Sequence, residues 1–164
     1  MPSRKPKAKK KWSMFPSLDD GVSDLLEEYG LYFGFHQADD AQGCIEEKNT
    51  HIMGRFICHN RACKANGWSS KKIAITIRMY LGDEYNARVY HQRCKSCETL
   101  SRPLLDDSYA DRVAYRLKVW SGIRMERRKY GGKESKGPHN SHLCEGCKAG
   151  VCEDNARSDS GKRQ

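Results

Sequence analysis

Long apolar runs are missing from this 164-residue chain. No window approaches the roughly 18 apolar residues that a membrane span requires, so a soluble protein is expected. No apolar segment follows the basic opening stretch MPSRKPKAKKKW either, so no secretory leader is expected and the implied setting is a reducing one, cytoplasmic or nuclear. Apolar residues make up only 37% of the chain, which suits one domain with a small core better than two. Catalytic signatures are missing as well. There is no H-E-x-x-H, no H-x-E followed by P-C-x-x-C, no phosphate-binding glycine loop and no nucleophile elbow. The chain therefore reads as a binding module and not as an enzyme.

Cysteine is what the chain has in quantity, and it comes in tight groups. Cys58 and Cys63 form C-x4-C, thirty residues intervene, and Cys94 and Cys97 form C-x2-C; Cys144 and Cys147 form a third turn with Cys152 close behind. Two thiolates a few residues apart reach one metal ion from a single turn, and a structural zinc takes four ligands at roughly 2.3 Å from sulfur. The first two turns thus supply one closed site, with the spacing of a zinc ribbon whose knuckles are joined by a β-hairpin. The third turn and Cys152 need one more ligand, and His139 or His142 stands just upstream. Two zinc ions per chain are expected, closed by protein ligands and hence structural. Cys44 is left over. A disulfide framework would need a secreted chain, and a thioredoxin-like C-x-x-C usually stands alone beside a βαβ pattern. Since buried area alone is marginal here, metal should be part of what holds the fold together.

The residues around these turns carry a family likeness. Phe56-Ile57-Cys58, Cys63, Trp68-Ser69-Ser70, Tyr90-His91-Gln92-Arg93-Cys94-Lys95-Ser96-Cys97, Pro103, His139 and the run Leu143 to Cys152 (LCEGCKAGVC) resemble the 3CxxC-type zinc-finger family, over roughly Met14 to Cys152. Its first turn departs from the C-x2-C of vertebrate members. The resemblance favours His139 over His142, by the family's spacing before CEGC; His142 also lies so close to Cys144 that the backbone between them would have to fold back sharply. The family includes the zygote arrest proteins, whose zinc finger binds messenger RNA, and the receptor-transporting proteins. The resemblance therefore implies either RNA binding or a protein adaptor and trafficking role. The receptor-transporting proteins carry a hydrophobic carboxy-terminal tail, and this chain ends in RSDSGKRQ, so membrane trafficking is the less expected of these roles.

Period and charge place the remaining elements. An α+β fold is expected: a small ribbon-like hairpin sheet with two knuckle sites, a short helix near the amino end and an amphipathic helix after the hairpin. Residues 1–13 read as a disordered basic arm, 14–153 as the zinc-binding domain and 154–164 as a disordered tail. Val22, Leu25, Leu26 and Tyr29 recur at helical spacing, with Ser17, Asp19 and Asp20 available as caps. Leu31 to Phe35 reads as a short strand and Gln37 to Asn49 as loop. From Lys72 to Leu81 apolar and polar residues alternate, the pattern of a half-buried strand, and Tyr85 to Gln92 returns beyond a turn at Gly82-Asp83-Glu84. Ser108 and Asp111 suggest a capping box ahead of the stripe Tyr109, Val113, Leu117 and Trp120. The net charge of +9 is concentrated: residues 1–11 carry +6, residues 12–51 carry −8, residues 52–110 carry +5 and residues 111–136 carry +6. That clustering suits a polyanion, RNA above all, met by Arg112, Arg116, Arg124, Arg127, Arg128 and Lys129 with Tyr90 stacking a base and Tyr80 and Tyr130 as further aromatics. A protein partner is the competing expectation, and a monomer is expected in either case.

Overall fold

The computed structural model describes residues 10–124 and 141–152. In chain order the strands are β1 (Trp12–Ser13), β2 (Gly34–Phe35), β3 (Cys44–Phe56), β4 (Trp68–Tyr80), β5 (Glu84–Tyr90), β6 (Gln92–Arg93), β7 (Leu100–Ser101) and β8 (Pro103–Leu105). The helices are α1 (Asp19–Glu27), α2 (Ser108–Trp120) and the single turn α3 (Glu145–Lys148). The main sheet runs β1-β5-β4-β3-β8, with β2 joining β5 in parallel and every other pair antiparallel. β6 and β7 form a separate two-stranded ribbon.

The alternating run makes β4 the central strand. Ile73, Ile75, Ile77 and Met79 turn to one face and meet Tyr85, Ala87 and Val89 of β5. Two helices close that face: Val22 and Leu26 of α1 pack with Tyr109, Val113 and Leu117 of α2 over the isoleucines. β4 is not half-buried, however; from Ile73 to Tyr80 it is covered on both faces. Ala74 lies under the third cysteine turn with Tyr90, and Tyr80 and Asn86 hold the loop before β3 by hydrogen bonds to the carbonyls of Asp40 and Ala38. A second layer thus occupies the face that the alternation left for solvent.

Other expectations change for equally local reasons. The polar stretch expected as loop is β3 from Cys44 onward, because Glu46 to Ile52 pair residue by residue with β4 and hide one side only. Trp12 and Ser13, placed in the basic arm by their lysine-rich neighbours, pair with Tyr90 and Val89 as β1. Only Gly34 and Phe35 of the aromatic run form a strand, and Tyr32 is 71% exposed. Ser108 is no cap: its hydroxyl donates to the Met53 carbonyl at 3.1 Å and accepts from the Met53 amide at 2.8 Å, tying α2 to β3. Gly122, at φ +86, follows the last residues of α2 and ends the helix. No described helix is long and apolar enough to cross a membrane.

Candidate metal centres

The first centre grows from the ends of β3 and β4. Phe56 and Trp68 stack at 4.8 Å with their planes 10° apart, closing the sheet where the chain leaves for the C-x4-C loop. Trp68 Nε1 donates to Gln92 Oε1 at 3.2 Å, which ties that end to β6. Gly67 returns the loop at φ +131, and a Cβ there would lie 2.1 Å from the Phe56 carbonyl oxygen. Within the loop the Cys63 amide donates to the Asn60 carbonyl at 2.9 Å, so the two additional residues are taken up in a turn. The second knuckle closes when the Glu98 amide donates to the Cys94 carbonyl at 2.7 Å and the Cys94 amide to the Thr99 carbonyl at 2.9 Å.

These turns bring Cys58, Cys63, Cys94 and Cys97 together with all four sulfurs within 4.8 Å of one another. Cys58 and Cys97 are 3.5 Å apart and Cys63 and Cys94 are 3.9 Å apart. Four sulfurs at the corners of a tetrahedron of radius 2.3 Å stand about 3.8 Å apart, whereas a disulfide bonds at about 2.0 Å, so the thiols fit a zinc ion and not a bridge. Ionisation is uneven. Hydrogen bonds from the Thr99 hydroxyl and amide hold the Cys97 thiol down, to about 6. An amide bond at Asn60 favours the Cys58 thiolate, but desolvation and the neighbouring thiols outweigh it and push Cys58 up to about 12. Crowded thiolates of this kind need a divalent cation to ionise together.

The second centre is built on α3. Cys144 caps that turn, its sulfur accepting from the Cys147 amide at 3.4 Å, and the Val151 amide returns to the Gly146 carbonyl at 2.9 Å. Cys144, Cys147 and Cys152 again lie within 4.8 Å of one another, with Cys144 and Cys152 at 3.7 Å. Interaction with Cys144 pushes the Cys152 thiol well above its ordinary range, as burial also does. Gly146 lets this turn rest directly on β4; a Cβ there would meet the Ala74 Cβ at 2.3 Å. His142 is exposed and is not among the three ligand atoms that lie within 4.8 Å of one another; His139 lies outside the described residues. Cys44 belongs to neither cluster, its thiol donating to the Glu46 carbonyl at 3.3 Å.

Three contacts between the centres had no signal in the sequence. Gln92 bridges to Cys144, and the Glu145 amide donates to the His91 carbonyl at 3.2 Å. Glu145, only 2% exposed, receives the Arg93 guanidinium.

The expected nucleic-acid contacts fare differently. Tyr90 is 5% exposed, packed against Trp12 at 6.0 Å and into the cluster with Cys144 and Cys152, so the base-stacking role assigned to it is wrong. Tyr80, 2% exposed, is excluded by the same burial. Arg112 and Arg116 are half-buried on α2, and Arg116 lies over the rings of Tyr115 and Trp120 at 5.6 and 5.9 Å. Arg124 is exposed. Arg127, Arg128, Lys129 and Tyr130 lie outside the described residues.

No curated protein and no solved structure matches the chain. A family model does: the 3CxxC zinc ribbon, a zinc-binding domain, matches residues 51–150. With that match and with two thiol clusters that fit two zinc ions, the chain belongs to the 3CxxC zinc-ribbon family of zinc-binding domains.

Proposed function

We propose that this chain is a non-enzymatic module, working in the cytoplasm or nucleus, whose two zinc ions are structural and whose basic surface binds RNA. The observation that carries the reading is the charge at the first zinc centre. From Lys48 to Gly82 there is no Asp or Glu, and Arg55, Arg61, Lys64, Lys71 and Lys95 are exposed around the two knuckles, with Glu98 the acid nearest in the chain. A zinc-stiffened loop holds these cations at fixed spacing, so less side-chain and backbone freedom is lost when they meet phosphates. With Tyr90 buried, the contact is electrostatic at this end and reads backbone, not bases.

The test is the affinity of the zinc-loaded chain for a labelled single-stranded RNA 12-mer, measured as salt is raised. Binding that weakens steeply with salt, and a triple change Arg61→Gln, Lys64→Gln, Lys95→Gln that lowers the log–log slope by about 0.7 per lost phosphate contact, supports the reading. Absence of binding at low salt overturns it. An adaptor role draws support from exposed Tyr29 and Tyr32, at 45% and 71%; a protein partner would be weakened by changes there and indifferent to the knuckle cations.

A further inference from the structure

Beside the second zinc centre, where Trp12 packs against the cluster of Tyr90, Cys144 and Cys152, a cleft of about 730 Å³ opens between the segment Lys10 to Met14, Gln37, Asp39 and Arg102. Its wall is rigid. The His91 amide donates to the Lys11 carbonyl at 2.8 Å, Trp12 is paired with Tyr90 in the sheet, and Ser13 Oγ lies 2.7 Å from His91 Nε2. The Trp12 indole is fixed twice more, by its Nε1 donating to Asp39 at 2.7 Å and by the Arg88 guanidinium lying 4.7 Å from the ring centre. Arg102 is positioned by its place over the Phe15 ring, at 4.5 Å.

Charge in this cleft is unbalanced by construction. Asp39, its carboxylate, is engaged by Trp12, by Arg88 Nε at 2.5 Å and by Arg78 at 3.8 Å; burial alone would raise its pKa, but these partners outweigh burial and hold the pKa below the ordinary carboxylate value. Lys10, Lys11 and Arg102 form no ion pair with a described acid. Cations without counter-charges, an indole held at one orientation and the Gln37 amide meet in a volume that fits a small ligand. Phosphate answers the cations, and a flat aromatic group answers the indole. An acidic peptide would satisfy the first and leave the second unused.

We infer that this cleft is a nucleotide subsite, seating one phosphate-and-base unit of single-stranded RNA with the phosphate at Lys10, Lys11 and Arg102 and the base against Trp12. The inference rests on the RNA reading above and gives it a place where a base is held, which the knuckle cations do not supply.

The experiment uses isotope-labelled, zinc-loaded full chain and follows the Trp12 indole and Arg102 guanidinium signals by NMR. The probes are uridine 5′-monophosphate, the single-stranded 12-mer and an acidic decapeptide. The nucleotide and the 12-mer are expected to shift both signals, and Lys11→Gln with Arg102→Gln to weaken the 12-mer at least 10-fold while zinc content stays unchanged. If the 12-mer binds with both signals still, or if the double variant binds it normally, the cleft assignment is overturned and the RNA reading stands. Nucleotide shifts without 12-mer binding would overturn the RNA reading and the RNA subsite with it, the cleft then taking free nucleotide only. Should neither probe bind, both fall, and shifts caused by the decapeptide alone would overturn the nucleotide assignment.

Discussion

Arg93 Nε donates to Glu145 Oε1 at 2.9 Å, and the Glu145 side chain is only 1% exposed. One partner immediately precedes Cys94 and the other immediately follows Cys144, so this pair fastens one zinc knuckle to the other. Lys148 approaches the same oxygen at 3.5 Å. Arg93→Ala strands a buried carboxylate beside that weaker partner. Because Arg93 is itself partly exposed, the expected cost is about 2 kcal/mol, below the 3–5 kcal/mol of a fully buried pair. Urea unfolding of the zinc-loaded variant measures it; an unchanged midpoint would show that the pair contributes nothing to stability.

Elemental analysis of the wild-type chain is expected to give two zinc ions. Cys94→Ser should remove the first and unfold the ribbon, since metal affinity in such sites is folding free energy of about 10 kcal/mol. Cys44→Ser should retain both.

Acid should release zinc. Cys97 titrates near 9 when unfolded and is held down to about 6 in the fold. Its stabilising contribution is therefore complete above pH 9 and is lost as pH falls toward 6, and bound zinc moves the loss lower still. A zinc-indicator titration should show release on acidification and none between pH 7 and 9.

Gly146→Ala adds one methyl where the Ala74 Cβ would stand 2.3 Å away. Lifting α3 off β4 should cost the second zinc and spare the first. The expected readout is one zinc per chain with NMR signals of β3 and β4 near Phe56 and Trp68 unmoved; two retained zinc ions would mean that α3 has room to shift.

Tyr90→Ala separates two roles that look alike in sequence. A buried aromatic under the second centre should lose about 3–5 kcal/mol of stability on truncation. RNA affinity of the fraction still folded should not change. Selective loss of RNA binding at full stability would restore the stacking role.

Cysteine spacing alone assembled the first centre, because four ligands of one metal must be neighbours wherever the chain runs between them. Period gave β4, β5 and α2 for the same reason: Ile73, Ile75 and Ile77 must share a face, as must Tyr109, Val113 and Leu117. What period could not carry is what covers the far side of a strand. Ala74, Arg78 and Tyr90 read as the wet positions of β4 and β5, and they are buried by a knuckle some fifty residues or more away in sequence and by the loop at Asp39. Tyr90 was misread for that reason. His139 was singled out by spacing and lies outside the described residues, while Glu145, set beside Cys144, gave no sign that Arg93 would be its partner.

The outer rim of β5 is closed along most of its length by β1 at Tyr90 and Val89 and by β2 at Glu84 and Tyr85. Both short strands precede residue 51, where the family match begins, and that boundary also cuts through β3. A fragment trimmed to the matched residues would keep every cysteine ligand of the first centre and yet leave the backbone of β5 open to pairing with another chain. Such a fragment should associate edge to edge even when loaded with zinc, and adding back residues 10–50 should return it to solution as a single species.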